Sequence, residues 1–312
     1  MNAPSAPFYD DVADAPAGAA CVWLTAPDGV RLRAAFWREG AKGTVLLFPG
    51  RTEYVEKYGP AAREYASRGY AMATIDWRGQ GLANRPLPDP MAGHVAEFAD
   101  YQQDVTALVA LARAEGLPEP FYLVAHSMGG AIGLRALLNG LPVKAAAFSA
   151  PMWGIKIQPV LRPVAWALSS LASAIGQGHF YVPSTRQKTY VNVASFADNM
   201  LTRDPDMYAF MQRQALAHPD LTLGGPTHQW LHEALRECHA LAALASPALP
   251  CLTALGTLER IVDTAPVHDR MARWPGATFD IVAGSEHEVM MEKPTVRTRF
   301  YDRTAALFDA SR

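Results

Sequence analysis

Tyr122-Leu123-Val124-Ala125-His126-Ser127-Met128-Gly129-Gly130 contains, in nine residues, an apolar run, a serine and a string of small residues. The run reads as a buried strand and the segment from Met128 to Leu138 as a helix, so Ser127 falls on the sharp turn between them. A serine there must take strained backbone angles that lift its hydroxyl above the sheet. The residues two before and two after must be small, because strand and helix backbones nearly touch. Gly129 meets the second requirement, and Ala125 stands where glycine is usual. A serine that merely caps a helix would give a similar string. The strand before it and the helix after it favour the nucleophile.

The texture on both sides agrees with this reading. TVLLF (44–48), AMATI (71–75), FYLVA (121–125) and VKAAAF (143–148) are short apolar runs. Helix-period segments near Glu56–Arg68, Ala96–Glu115 and Met128–Leu138 separate them. Continuous apolar strands alternating with helices predict an α/β fold, a mostly parallel sheet with helices on both faces. CVWLTA and VRLRAAFW flank Pro27-Asp28-Gly29 and predict a hairpin ahead of it. The alternation stops at Pro151 and resumes with CLTALG (251–256), a helix near Val267–Trp274, TFDIVAG (278–284) and a helix near Thr295–Asp309. The expected organisation is a flexible arm over 1–18, a core over 19–150 and 246–312, and a helical cap inserted over 151–245.

A serine hydroxyl becomes nucleophilic when a histidine takes its proton and an acid orients that histidine. On a sheet of this kind the acid follows the next-to-last strand and the histidine follows the last. His287 lies just past TFDIVAG. Glu259 lies three residues past CLTALG and is the favoured acid, with Asp263 the alternative, although an aspartate there also suits a helix cap. His126 is expected inside the elbow. His228 and His232 are spaced as a metal pair, but Gln229 stands where the metal motif has glutamate. The carbonyl oxygen needs two waiting donors. These are assigned to the amide of Met128, at a helix start, and that of Arg51, in the Pro49-Gly50-Arg51 loop after TVLLF. For the Arg51 side chain, a surface or inter-loop ion pair, with Glu53 as the candidate partner, is the plain expectation.

FPGRTEYVEKYGPAAREYASRGYAMATIDWRGQG, AHSMGG, Glu259-Arg260-Ile261-Val262-Asp263 and GGPTHQWLHE (224–233) together resemble the serine α/β-hydrolases of the monoglyceride-lipase-like group, closest to bacterial lysophospholipases. The resemblance covers about residues 25 to 309 and is loose in the insertion before Gly224. It implies an α/β-hydrolase fold, a Ser127–Glu259–His287 triad, an oxyanion hole from the Arg51 and Met128 amides, and an architectural role for the turn Asp76–Gly81. It also implies release of a fatty acid from a single-chain lipid ester such as a lysophospholipid. A monoacylglycerol lipase or a general carboxylesterase is the alternative. A non-catalytic hydrolase-fold binding protein is the alternative of another class, disfavoured because every triad position holds a competent residue. No metal or organic cofactor is required. In the cap, Trp153, Trp166, Met200, Met207, Phe210, Met211 and Trp230 are candidates to line an acyl pocket, with ordinary packing between cap helices the plainer reading for any one of them.

Composition narrows the partners. The 312 residues are 50% hydrophobic and 19% charged, which excludes wholesale disorder. Lys plus Arg number 28 against 30 Asp plus Glu, a net charge of -2 that offers no field for nucleic acid. The three cysteines are too scattered for a disulfide framework or a zinc site, and acids stand near the N-terminus where a secretory signal has basic residues. A cytoplasmic protein is expected, and the apolar segment Val160–Ile175 suits either peripheral contact with a lipid surface or burial against the core, the commoner fate of such a helix. The oligomeric state is not legible.

Overall fold

The computed structural model describes residues 3–183, 185 and 187–312. Eight strands form one sheet: β1 (Ala20–Thr25), β2 (Arg31–Trp37), β3 (Thr44–Phe48), β4 (Ala71–Asp76), β5 (Phe121–His126), β6 (Val143–Ser149), β7 (Cys251–Gly256) and β8 (Thr278–Val282). Their order is β1-β2-β4-β3-β5-β6-β7-β8. β1 and β2 pair antiparallel around the expected turn, β2 is antiparallel to β4, and every pairing from β4 through β8 is parallel. This is the α/β-hydrolase sheet.

Nine helices accompany it among the described residues: α1 (Asp10–Ala13), α2 (Gly59–Ser67), α3 (Tyr101–Ala114), α4 (Met128–Leu138), α5 (Arg162–Ala174), α6 (Pro205–Ala217), α7 (His228–Ala243), α8 (Thr264–Ala272) and α9 (Pro294–Asp309). The two-residue period of the strands sorts their side chains between two cores. Val45 and Leu47 of β3 face α2 and α9, packing in one cluster with Tyr65, Phe300 and Phe308. Leu46 and Phe48 join the other cluster, with Leu108 of α3 and Ile132 of α4. The sheet is therefore covered on both faces, which explains why β3, β4 and β5 are buried throughout and read as unbroken apolar runs.

Two helix starts differ from the periodicity. α3 begins at Tyr101 rather than Ala96, because Glu97 and Asp100 close a capping box around a 3-10 turn. α2 begins at Gly59, after a 3-10 turn over Val55–Tyr58.

The N-terminal arm is held rather than loose, which corrects the expectation of a flexible segment. Ser5 bridges Val22, the Phe8 ring meets Trp37 edge-on, and the buried Arg33 donates to the Pro7 carbonyl. The Tyr9 hydroxyl donates to Asp220 of the insertion at 2.6 Å. Ala-, Pro- and Asp-rich composition misled because backbone groups and two aromatic rings do the anchoring.

Between β6 and β7 the described elements are α5, α6, α7 and short 3-10 turns, with no strand. α7 shares the main core: Leu231, Ala234 and Leu241 are buried in the α3/α4 cluster, and Arg135 of α4 forms a bidentate pair with Glu237. α5 instead packs on α7 from outside and leaves an apolar face uncovered.

Candidate active site

Ser127 ends β5 and opens α4 with φ 50° and ψ -119°, a left-handed conformation that a side-chain-bearing residue holds only when its surroundings enforce it. Its amide donates to the Ser149 carbonyl at 3.1 Å, and its carbonyl accepts from Gly130 and Met152, both at 2.8 Å. Gly129 is required sterically: a Cβ there would lie 2.2 Å from the Phe48 carbonyl oxygen and 2.5 Å from that of Pro49. This close approach brings the end of β3, and the loop after it, against the start of α4.

That loop carries Arg51. The side chains of the turn after β4 clamp it. The Thr52 amide donates to Gln80 Oε1 at 2.8 Å, Gln80 Nε2 donates to the Gly50 carbonyl at 3.1 Å, and Trp77 Nε1 donates to the Pro49 carbonyl at 2.9 Å. Met128 is the first residue of α4, so its amide has no partner within the helix.

His287 and Glu259 meet at 2.7 Å, Nδ1 to Oε2, and both are buried. The other oxygen of Glu259 accepts from the amides of Ile261 at 2.6 Å and Val262 at 3.0 Å, which fixes the carboxylate. Burial alone would raise the Glu259 carboxyl. The facing His287 and the two amides outweigh it and hold the carboxyl below its ordinary value. A carboxylate at Nδ1 leaves Nε2 to act as base. Asp263 caps α8 through the Ala265 amide and pairs with Arg162, and it does not reach His287.

Beneath these groups lies a buried charge cluster that the sequence did not reveal. Lys57 Nζ donates to Glu53 at 2.5 Å and to Glu288 at 2.6 Å. Glu53 also accepts from the Tyr58 hydroxyl and the Gly50 amide. His126 Nδ1 contacts the Ser149 carbonyl at 3.0 Å, which requires a proton on that nitrogen, and its Nε2 lies 3.3 Å from Glu288. Burial works against the His126 imidazolium, but Glu288 and Glu53 outweigh it and raise its pKa, while the cations His126 and Lys57 hold Glu288 well below the carboxylate range. The Glu53, His126 and Glu288 ligand atoms lie within 4.8 Å of one another, as a metal site would need. The Lys57 ammonium already bridges both carboxylates. Glu53 is thereby taken, and the expected Arg51–Glu53 pair does not form; Arg51 Nη2 donates instead to the Gly224 carbonyl at 2.7 Å.

Ser127 and His287 both line a cavity of about 670 Å³ closed by residues of the insertion. Of the candidate pocket residues, Met200, Met211 and Trp230 line it. Four others do not. Trp153 packs between Phe148 and Trp274 and donates to the Gly130 carbonyl, supporting the elbow from behind. Phe210 and Met207 pack with Tyr208 and Met291, and Trp166 is 39% exposed on α5. Met152, Ile155, Tyr190, Val191 and Leu201 line the cavity instead.

The family model for serine aminopeptidase, S33, matches residues 39–294. The chain belongs to this family. Within it, the S33-family chain is 33% identical over 267 residues to lysophospholipase L2 of Escherichia coli K12, covering 81% of this chain and 76% of that protein. It is 24% identical to the monoacylglycerol lipase of Mycolicibacterium smegmatis, over 85% and 88% of the two chains. A soluble variant of Saccharomyces cerevisiae monoglyceride lipase, solved with a substrate analogue, superposes with a TM-score of 0.72 at 18% identity over 92% and 94% of the chains. These findings make the S33-family chain a serine hydrolase acting on carboxylic esters.

Proposed function

We propose that this S33-family hydrolase is a lysophospholipase that uses Ser127 as nucleophile, His287 as general base and acid, and Glu259 to orient His287. The observation that carries the reading is that Ser127 and the Glu259-bound His287 open onto one cavity whose walls are largely apolar. The similarity to lysophospholipase L2 supports the substrate class.

His287 Nε2 takes the Ser127 proton as Oγ attacks the acyl carbonyl, and Glu259 stabilises the imidazolium. The resulting oxyanion lies between the Arg51 and Met128 amides, held in place before the reaction and so paying no reorganisation cost. Collapse breaks the acyl–oxygen bond and passes the His287 proton to the leaving glycerophospho alcohol. Water, deprotonated by His287, then attacks the acyl-enzyme, and the proton returns to Ser127 as the fatty acid leaves. Met200, Met211 and Trp230 give the acyl chain its apolar wall.

A fluorophosphonate probe and a fatty-acid release assay test this. Labelling at Ser127 and faster release from lysophosphatidylethanolamine than from monoolein or a short nitrophenyl ester are the expected results. Labelling with preference for monoolein would favour the monoacylglycerol lipase reading, and preference for the short ester a carboxylesterase. No labelling of folded protein would leave a binding protein.

Contact with a lipid surface is part of the proposal. Val164, Leu168 and Leu171 on α5 and Ile175 at its C-cap recur at helical spacing and are 47–61% exposed, with Val160 and Leu161 beside them. Such a stripe lies flat in an interface by apolar burial. Wild-type protein should bind zwitterionic vesicles with little salt dependence, and Leu168→Ser/Leu171→Ser should not. Equal binding by both proteins would remove α5 from the account.

A further inference from the structure

The Arg51 side chain lines the active-site cavity without a charge partner. Its Nη2 has the Gly224 carbonyl, its guanidinium lies 5.1 Å from the Trp230 ring centre, and its buried Nε has no hydrogen-bond partner among the described residues. No carboxylate among the described residues pairs with it. Burial pushes its pKa down to about 10, so it remains a cation at neutral pH. Gly93 makes room for it: a Cβ at that position would lie 2.1 Å from Nη2. A buried cation without a counter-charge is costly, and a buried donor left unmatched adds to the cost. A ligand anion relieves both.

The cavity is prepared for one. Among the described residues, its other charged side chains are Glu53, Lys57, Glu288 and the exposed Lys188. Both carboxylates are bound to Lys57, which leaves Arg51 and Lys188 as the unengaged cations lining the cavity among the described residues.

We propose that the Arg51 guanidinium receives the phosphate of the lysophospholipid headgroup. The amide of the same residue would then face the ester carbonyl while its side chain faces the phosphate. In a 1-acyl glycerophospholipid, roughly six bonds separate the carbonyl carbon from phosphorus, about the reach of an arginine from its amide nitrogen to Cζ. A monoacylglycerol offers only a hydroxyl there, which cannot neutralise the guanidinium. Specificity thus comes from leaving Arg51 unpaired when a neutral substrate binds. The proposal rests on the lysophospholipase reading, and the test separates the two.

The kcat/KM for palmitoyl lysophosphatidate and for monopalmitoylglycerol is measured below their aggregation concentrations in wild type, Arg51→Lys and Arg51→Met. Inhibition of nitrophenyl butyrate hydrolysis by glycerol 3-phosphate, against glycerol, is measured in parallel. The expected result is a lysophosphatidate preference that falls at least tenfold in Arg51→Met, mainly through KM, and less in Arg51→Lys. Competitive inhibition by glycerol 3-phosphate should weaken to match. An unchanged preference, with both substrates slowed together, would make Arg51 a tether between loop and cap and overturn the proposal. Wild-type preference for monopalmitoylglycerol, with Arg51-dependent inhibition intact, would overturn the lysophospholipase reading and keep the anion subsite. If the variants do not fold, absence of glycerol 3-phosphate inhibition in wild type overturns the subsite by itself.

Discussion

The imidazole rings of His126 and His287 lie 4.8 Å apart, centre to centre, tilted by 55°. Each is the chain neighbour of a different part of the machinery, His126 preceding Ser127 and His287 preceding Glu288. Glu288 closes the circuit by pairing with His126 and Lys57, and Glu53 ties the same cluster to the loop that carries Arg51. Ser127, His287 and the loop that carries Arg51 are thus joined under the cavity by one buried set of charges.

The titration of that set gives a pH dependence with a definite sign. The His126 pKa is raised above 6.5, so its stabilisation is complete below 6.5 and is lost as pH rises through the raised value. The Glu288 pKa is depressed below 4.5, so its stabilisation is complete above 4.5 and is lost as pH falls through the depressed value. Thermal unfolding between pH 6 and 9 should show Tm declining on the alkaline side in wild type and a flatter profile in His126→Gln. Parallel profiles would show that His126 carries no charge in the folded protein.

Lys57→Met removes the cation from two buried carboxylates. Urea unfolding should show a loss of about 3–5 kcal/mol, the cost of stranding a buried charge. Lys57→Arg keeps the charge and should lose less. Equal losses from both variants would mean that packing, not charge, sets the effect.

Glu259→Gln should lower kcat by about 10³–10⁴-fold, because the amide no longer fixes the imidazole tautomer or stabilises the imidazolium. Asp263→Asn should leave kcat within about fivefold and change stability little, because an asparagine caps α8 as well as an aspartate does. Comparable kcat losses would reopen the choice of acid.

Gln80→Ala releases the proposed oxyanion loop from a clamp on both the Thr52 amide and the Gly50 carbonyl. The expected signature is a kcat reduced about 10- to 100-fold with KM little changed, smaller than loss of a donor itself. A rise in KM alone would assign Gln80 to substrate binding.

Gly129→Ala should abolish fluorophosphonate labelling, since its Cβ would force the backbone at Phe48 and Pro49 away from α4. Ala125→Gly, which restores the usual small residue, should retain labelling.

The sequence alone determined the elements whose reasons are local. A strand, a serine between small residues and a glycine-rich helix admit one sharp turn, and Glu259 and His287 follow from the ends of the last two strands. The same local rules located the sheet, whose doubly buried strands read as unbroken apolar runs. They failed in the insertion, where an aromatic residue carries no sign of the direction it faces. Trp153 went to the back of the elbow and Trp166 to the exterior, while Trp230 and Met211 reached the cavity. Tertiary structure alone decided the electrostatics. Glu53, Lys57, His126 and Glu288 come from three distant segments, and Arg51 has no carboxylate partner among the described residues, since Glu53, two residues away, is bound to Lys57. A charge's partner is chosen by distance in space and by shared burial, and neither quantity is written in the order of residues along the chain.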